Sequence, residues 1–135
     1  MNANNVGARY PDSFGNFAIA NTQTIFLGAT GNAVATLATV GTSYIVRRVT
    51  VANASGSVAL ANVTILTSND GNTSNAVTNA AALTTLTSNT KFQDLALSTA
   101  AASTVYSTPF YVYVGTAAAA NNSVEITVYG DVVTL

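Results

Sequence analysis

Residues 109–130, PFYVYVGTAAAANNSVEITVYG, contain two runs in which apolar and polar side chains alternate. Successive side chains of a β-strand point to opposite faces, so strict alternation predicts strands with one buried and one exposed face. The runs 109–115 and 123–134 are therefore predicted as strands, separated by a loop of alanine and asparagine. If a hairpin joins them, their outward side chains lie on one surface. Those side chains are Tyr111, Tyr113, Glu125, Thr127 and Tyr129.

The inward side chains of the two runs are all apolar: Phe110, Val112, Val114, Val124, Ile126 and Val128. The outward tyrosines have two interpretations. Tyrosine is a good strand former that is often half exposed, which explains it without any function. A large ring with a polar tip and few rotamers also suits a protein–protein contact. The sequence leaves both open.

Short β-type runs separated by turn residues recur along the rest of the chain at a spacing typical of an all-β sandwich or barrel. We predict strands at 16–27, 33–39, 43–53, 58–67, 83–88, 90–97, 109–115 and 123–134. About eight strands in one domain of this length favour a jelly-roll-like β-sandwich over residues 16–135. Residues 1–15, rich in Asn and Gly and including Tyr10, are predicted to form an extended N-terminal arm.

Three segments between the predicted strands have a turn or loop composition. The run 69–72, Asn-Asp-Gly-Asn, predicts a tight turn, because these residues tolerate positive φ angles at little cost. The alanine runs 100–102 and 117–120 are too short to nucleate a helix in water. They are predicted as loops, with a single helical turn at most.

Arg47 and Arg48 are adjacent in an otherwise apolar predicted strand, and they are half of the four basic residues in the chain. Uninterrupted alternation puts them on opposite faces, Arg47 with three β-branched apolar residues and Arg48 with Tyr44. We expect the arginine on the core face to reach the sheet rim or to pair with Asp94, Glu125 or Asp131. The other arginine, beside Tyr44 on the outer face, is a candidate contact to a partner subunit.

The composition limits the classes of function. Charged residues are 7% of the 135 residues and the net charge is −1, against about 25% charged residues in an ordinary domain. Four basic residues cannot form a phosphate-binding stripe, so nucleic-acid binding is not expected. No apolar run approaches the length of a membrane span. So few charges protect poorly against association, which favours a protein whose surface is covered in an assembly.

Reactive residue types are scarce. The chain has no histidine and no cysteine, which excludes catalytic triads, cysteine nucleophiles and the usual zinc sites. The spacing of the five acidic residues recommends no catalytic pair, and one Asp flanked by Asn at 70–72 falls short of a calcium loop. We predict no catalytic, cofactor-binding or metal-binding residues, and no enzymatic activity.

The strand YIVRRVTVANAS, the segment TILTSNDGN and the ending FYVYVGTAAAANNSVEITVYGDV, together with a composition biased to Ala, Thr and Asn, resemble the small virion proteins of tailed bacteriophages. The head decoration, or cement, proteins are the nearest type. The resemblance extends over most of 16–135 and implies a jelly-roll-like fold, a homo-oligomer that is a trimer, and binding to the lattice of the major capsid protein. It also implies synthesis in the host cytoplasm and a final location on the capsid surface.

Two rival hypotheses belong to other classes. A tail-fibre, head-fibre or adhesin domain would bind host-surface glycans through the Asn/Thr-rich loops and tyrosines. A tail-tube or neck subunit would assemble into six-fold rings. For the preferred hypothesis the predicted interface residues are Tyr10, Tyr44, Arg47, Arg48, Tyr111, Tyr113, Glu125, Thr127 and Tyr129.

Overall fold

A computed structural model describes residues 17–21, 24–39 and 43–133. The predicted arm, with Tyr10, lies outside the described residues. In the described part the chain forms nine antiparallel strands and two 3-10 turns, Thr73–Asn75 and Ala100–Ala102. The strands are β1 Phe17–Asn21, β2 Ile25–Phe26, β3 Gly31–Thr39, β4 Tyr44–Ala52, β5 Asn62–Leu66, β6 Ala81–Ala82, β7 Phe92–Leu95, β8 Phe110–Thr116 and β9 Ser123–Val132.

The strands pair in the order β6-β5-β8-β3-β1-β9-β4-β7, and β2 pairs with β9 next to β1. One half, β6-β5-β8-β3, joins the other, β1-β9-β4-β7, where the end of β3 pairs with β1 at Thr39 and Ala20. Inward side chains from β5 and β8 of the first half and from β1, β9, β4 and β7 of the second half belong to one buried cluster. The fold is therefore an all-β sandwich of two layers, as predicted.

The apolar residues predicted to point inward from β8 and β9 are all fully buried. Phe110 packs against two tyrosine rings, with its ring centroid 5.3 Å from that of Tyr44 and 5.8 Å from that of Tyr106. Offset and edge-to-face contacts of this kind stabilise a core beyond the area they bury. The alternating pattern thus identified the core face of both strands.

The predicted hairpin between β8 and β9 is wrong. β8 pairs with β3 and β5, whereas β9 pairs with β1, β2 and β4, so the two strands lie in different layers. The 117–122 connection crosses from one layer to the other, with Ala118 N–H donating to the Leu27 carbonyl. Neighbours in sequence are therefore not neighbours in the sheet here.

The predicted strand 83–88 is also wrong. Leu83 and Leu86 are fully buried, but they lie in irregular backbone after β6. The Leu83 N–H donates to the carbonyl of Ala61, and the carbonyl of Leu86 accepts from the Val58 N–H. Backbone hydrogen bonds to residues 58–61 thus hold the two leucines in the core. Their spacing of three residues is not the two-residue period of a strand.

Most remaining predictions hold with shifted ends. The predicted strand 16–27 corresponds to β1 and β2, which lie one after the other along β9. The alanine run 100–102 forms one 3-10 turn, and 117–120 is a loop. The edge strands β6 and β7 are bridged because Gln93 donates to the Ala82 carbonyl at 2.9 Å. A side chain of one edge strand is thus hydrogen-bonded to the backbone of the other.

Candidate interaction surfaces

A β-bulge in β4 decides where the two arginines point. Val46 is in register with Gly130 of β9, but the next paired residue is Arg48, opposite Tyr129, so Arg47 is the extra residue. Such an insertion resets the alternation of side chains. Val46 before the bulge and Val49 after it are both buried, while Arg47 and Arg48 are both exposed.

Gly130 makes the bulge possible. A Cβ atom at this position would lie 1.8 Å from the carbonyl oxygen of Ile45. Glycine inside a strand commonly marks such a close approach of two backbones. The bulge therefore depends on one residue in each strand, an insertion in β4 and a missing side chain in β9.

Both arginines pair with carboxylates. Arg47 Nε lies 3.0 Å from Asp131 Oδ2, and Arg48 Nε lies 3.0 Å from Asp94 Oδ1. The Thr50 hydroxyl also donates to Asp94 Oδ1, at 2.6 Å. The expectation that one arginine shares the core face is wrong, and the carboxylate pairing predicted for that arginine, with Asp94, Glu125 or Asp131, is made by both exposed arginines instead. Exposed pairs of this kind stabilise a fold by at most about 1 kcal/mol.

The outward side of β9, β4 and β7 forms the first candidate surface, which we term the charged face. Tyr129 lies beside Arg48, whose guanidinium carbon is 5.6 Å from the ring centroid, within range of a cation–π contact. The middle of the face has small side chains, and Phe92 at its edge is 57% exposed. The charged face consists of Arg48, Thr50, Ala52, Phe92, Asp94, Glu125, Thr127 and Tyr129.

Glu125 and Thr127 point outward as predicted. Glu125 Oε2 accepts a hydrogen bond from the Asn53 side chain at 2.9 Å. Asn53 has a φ of 54°, a left-handed conformation that Asn adopts more readily than most residues. The end of β4 and the carboxylate of β9 are thereby tied together.

The outward side of β5 and β8 forms the second candidate surface, which we term the tyrosine face. It consists of Asn62, Thr64, Leu66, Tyr111 and Tyr113. Tyr111 and Tyr113 are partly exposed on β8, in register with Leu66 and Thr64. No residue of β5, β6 or β8 is charged. The expectation that both tyrosines cluster with Tyr129 is wrong, because Tyr129 is on the opposite layer.

A loop of the chain itself covers part of the tyrosine face. Leu66 is fully buried and Thr64 is 3% exposed, although both point away from the main core. Leu66 pairs with Ala76, where the loop after β5 returns. Gly71 of this loop is so close to Tyr113 that a Cβ there would lie 3.0 Å from the ring.

The 69–72 turn forms as predicted, with Gly71 at a φ of 71°. Asp70 Oδ1 accepts from the Ser68 hydroxyl at 2.6 Å and from the Asn72 N–H at 2.9 Å. These two donors hold the pKa of the Asp70 carboxyl below its ordinary value of 3.8, because they stabilise the charged form. The carboxylate thus closes the turn.

Tyr44 is the one predicted interface residue that the structure places in the core. It is 1% exposed, and its hydroxyl donates to the carbonyl of Thr108. The bulge explains why this prediction failed. Tyr44 and Val46 precede the bulge and point inward, whereas Arg48 follows it and points outward. The prediction that Tyr44 lies on the outer face is wrong.

Two other kinds of site are absent from the described residues. Among them, no group of three or more His, Cys, Asp and Glu residues is arranged to hold a metal ion. In the same part of the chain, no helix has the length and apolar character needed to cross a membrane. The two outer faces are thus the features from which a function can be argued. No protein-family model, curated protein or solved structure matches this chain.

Proposed function

We propose that this protein is a structural component of a virus particle that binds the assembled capsid and stabilises it as a homo-oligomer, expected to be a trimer. Its partner is the lattice of the major capsid protein, and its location is the capsid surface. A protein with affinity for the assembled lattice but not for loose subunits stabilises the lattice by mass action. No turnover of a substrate is required.

The sandwich is of the kind that such a role uses. Apart from the two-residue strands β2 and β6, successive strands alternate between the two layers, and each layer interleaves early and late strands. Double-sheet sandwiches with this kind of interlocked order occur in viral capsid and lectin domains as jelly rolls. The strand order therefore supports the jelly-roll expectation and, with it, the proposal.

The observation that carries the proposal is the uncharged tyrosine face. Tyr111 and Tyr113 are partly exposed on a strand without a charged residue, beside Leu66 and Thr64 of the neighbouring strand, which are themselves buried. The centres of protein interfaces are depleted of charged residues and enriched in tyrosine. The close approach of Gly71 to the Tyr113 ring restricts that ring before binding, which lowers the entropy that is lost when a partner fixes it. We assign the capsid contact to this face.

The test is co-sedimentation of the purified protein with empty capsids, both before and after the shell has expanded. We expect saturable binding to the expanded shell, and we expect Tyr111→Ala to weaken it about tenfold, as for a central interface tyrosine. Leu60→Ala is the matched control, because it removes an apolar side chain that is 67% exposed in the turn before β5. Binding that is absent, or equally reduced by both variants, would contradict the proposal.

A glycan array separates the proposal from its main rival. A domain of a fibre or adhesin would bind particular glycans through its loops and aromatic residues. The capsid proposal predicts no glycan selectivity together with binding to capsids. Selective glycan binding in the absence of capsid binding would replace the proposed function with the rival one.

A further inference from the structure

Most charges of the charged face are compensated by an opposite charge within the face. Together with Arg47 and Asp131 at its margin, it has two arginines and three carboxylates, a balance of −1. Each arginine already lies 3.0 Å from a carboxylate. A strongly acidic or strongly basic partner would meet as much repulsion as attraction here. The chemistry of the face suits a partner that itself presents both signs side by side.

We propose that the charged face binds a second copy of this chain through a two-fold contact in which Arg48 of one copy meets Asp94 of the other. A two-fold axis brings the same patch of both copies together, so a self-complementary surface is required. The proposal does not rest on capsid binding, and it needs a different surface from the expected three-fold arrangement.

The strand register defines this contact. Thr50 is in register with Asp94 of β7 on one side and with Thr127 of β9 on the other. Arg48 is the next outward residue along β4, about 6.8 Å from Thr50, whereas neighbouring strands are about 4.8 Å apart. The two-fold axis lies between the two facing copies, parallel to both faces, and passes over Thr50 diagonally to the strands. It therefore places Arg48 of each copy over Asp94 of the other.

The same axis brings aromatic residues together. Phe92 is in register with Ala52, and Tyr129 is in register with Arg48, so they occupy opposite corners around Thr50. The diagonal axis exchanges these two corners, so Phe92 of one copy meets Tyr129 of the other. The other diagonal would place Arg48 over Thr127 and Asp94 over Ala52, and no charges would meet. Only the first diagonal brings opposite charges together and also places Phe92 against Tyr129.

The strands of the two copies then cross at a large angle, as in orthogonal packing of sheets. The small side chains Ala52, Thr50 and Thr127 at the centre allow the two faces to come close. Three strands about 4.8 Å apart, with about five residues each at about 3.4 Å, cover roughly 250 Å² of projected area per copy, which is well below the roughly 800 Å² of a standard interface. We therefore expect weak association in solution, in the micromolar range, that becomes effective when many copies are held on one surface.

One residue opposes the contact. Glu125 is in register with Ala52 and lies near the axis, so it faces Glu125 of the second copy. Two carboxylates that face each other across the contact repel each other. We therefore expect Glu125→Gln to strengthen association, although it removes a charge from the face. This repulsion arises only with the diagonal that brings Arg48 to Asp94, so the effect of Glu125→Gln identifies that arrangement.

The test is sedimentation equilibrium of charge-reversed variants over micromolar to millimolar concentrations. We expect Arg48→Glu and Asp94→Arg each to weaken self-association about tenfold or more, because like charges then meet. An equimolar mixture of the two variants regains association, since the unlike copies restore both contacts. The chain with both substitutions regains it as well.

The mixture distinguishes a contact between copies from a structural role. An ion pair used only within one chain would be restored by the double variant but not by mixing. Circular dichroism and the unfolding midpoint of each variant show that the fold is kept. The proposal would be overturned by a wild-type chain that forms no dimer, by single variants that dimerise as the wild type does, or by a mixture that fails to dimerise. Capsid binding is measured separately, so its absence would remove the proposed function alone.

Discussion

The two outer faces of this sandwich differ in how their polar groups are satisfied. On the charged face, Arg48, Asp94 and Thr50 form a surface network that water can reach. On the tyrosine face there are no charges, and the loop after β5 returns over the sheet until Leu66 and Thr64 are buried. One fold thus presents a surface with both signs of charge on one side. On the other side it presents strands without a charged side chain, next to a loop that contains Asp70. The few charges of the chain are therefore unevenly distributed over its surface.

The strongest test of this comparison concerns two strand glycines, one in each layer. We expect Gly130→Ala to destabilise the fold by about 3 kcal/mol or more, because the new Cβ would lie 1.8 Å from the Ile45 carbonyl oxygen. Gly115→Ala in β8 is the matched change, since its Cβ would have no neighbour closer than 3.7 Å. Urea unfolding of both variants measures the difference, and equal stabilities would contradict the bulge as described.

A smaller loss of folding stability is expected from a substitution on the tyrosine face. Leu66→Ala should destabilise the fold by about 2–3 kcal/mol, because Leu66 is fully buried between the sheet and the returning loop. Thr127→Ala, at an outward position of the charged face, should cost less than about 0.5 kcal/mol. Chemical denaturation of the two variants gives both values. If the Leu66 variant is as stable as the wild type, the loop does not cover this face.

The smallest expected effect is a pH dependence of folding stability that comes from Asp70 in the loop after β5. The folded-state pKa of Asp70 is lowered by the Ser68 hydroxyl and the Asn72 N–H, so its contribution to stability is present above the unfolded-state pKa. This contribution is lost as the pH falls through the folded-state pKa, which lies below 3.8. The unfolding midpoint of Asp70→Asn should therefore be slightly lower than that of the wild type near neutral pH. A difference that persists at the lowest pH would contradict this linkage.

Much of the fold follows from local patterns in the sequence. Alternation in β8 and β9 is strict enough to identify the inward residues, and the Asp70–Gly71 turn follows from its residue types alone. Both are short-range properties. The pairing of strands is not local, because each layer combines strands distant in the chain. A rule that favours pairing of consecutive strands therefore placed β9 beside β8 and grouped three tyrosines that lie on two faces.

The candidate surfaces were less predictable for one physical reason. The positions of Tyr44, Arg47 and Arg48 depend on a bulge, and a bulge is a property of two paired strands. A signal was present in Gly130, since glycine inside a strand pattern often marks a bulge. Its location opposite Val46 could be known only once β4 and β9 were seen to pair. The buried Leu66 likewise depends on a loop whose path the sequence does not define.

The claim that the two faces meet different neighbours is tested most directly by hydroxyl-radical footprinting of aromatic residues. The protein is labelled when dilute, when concentrated, and when bound to expanded capsids. We predict that Phe92 and Tyr129 become protected on concentration alone, and that Tyr111 and Tyr113 become protected only when capsids are present. Protection of Tyr111 and Tyr113 on concentration, with Phe92 and Tyr129 unchanged, would contradict the account.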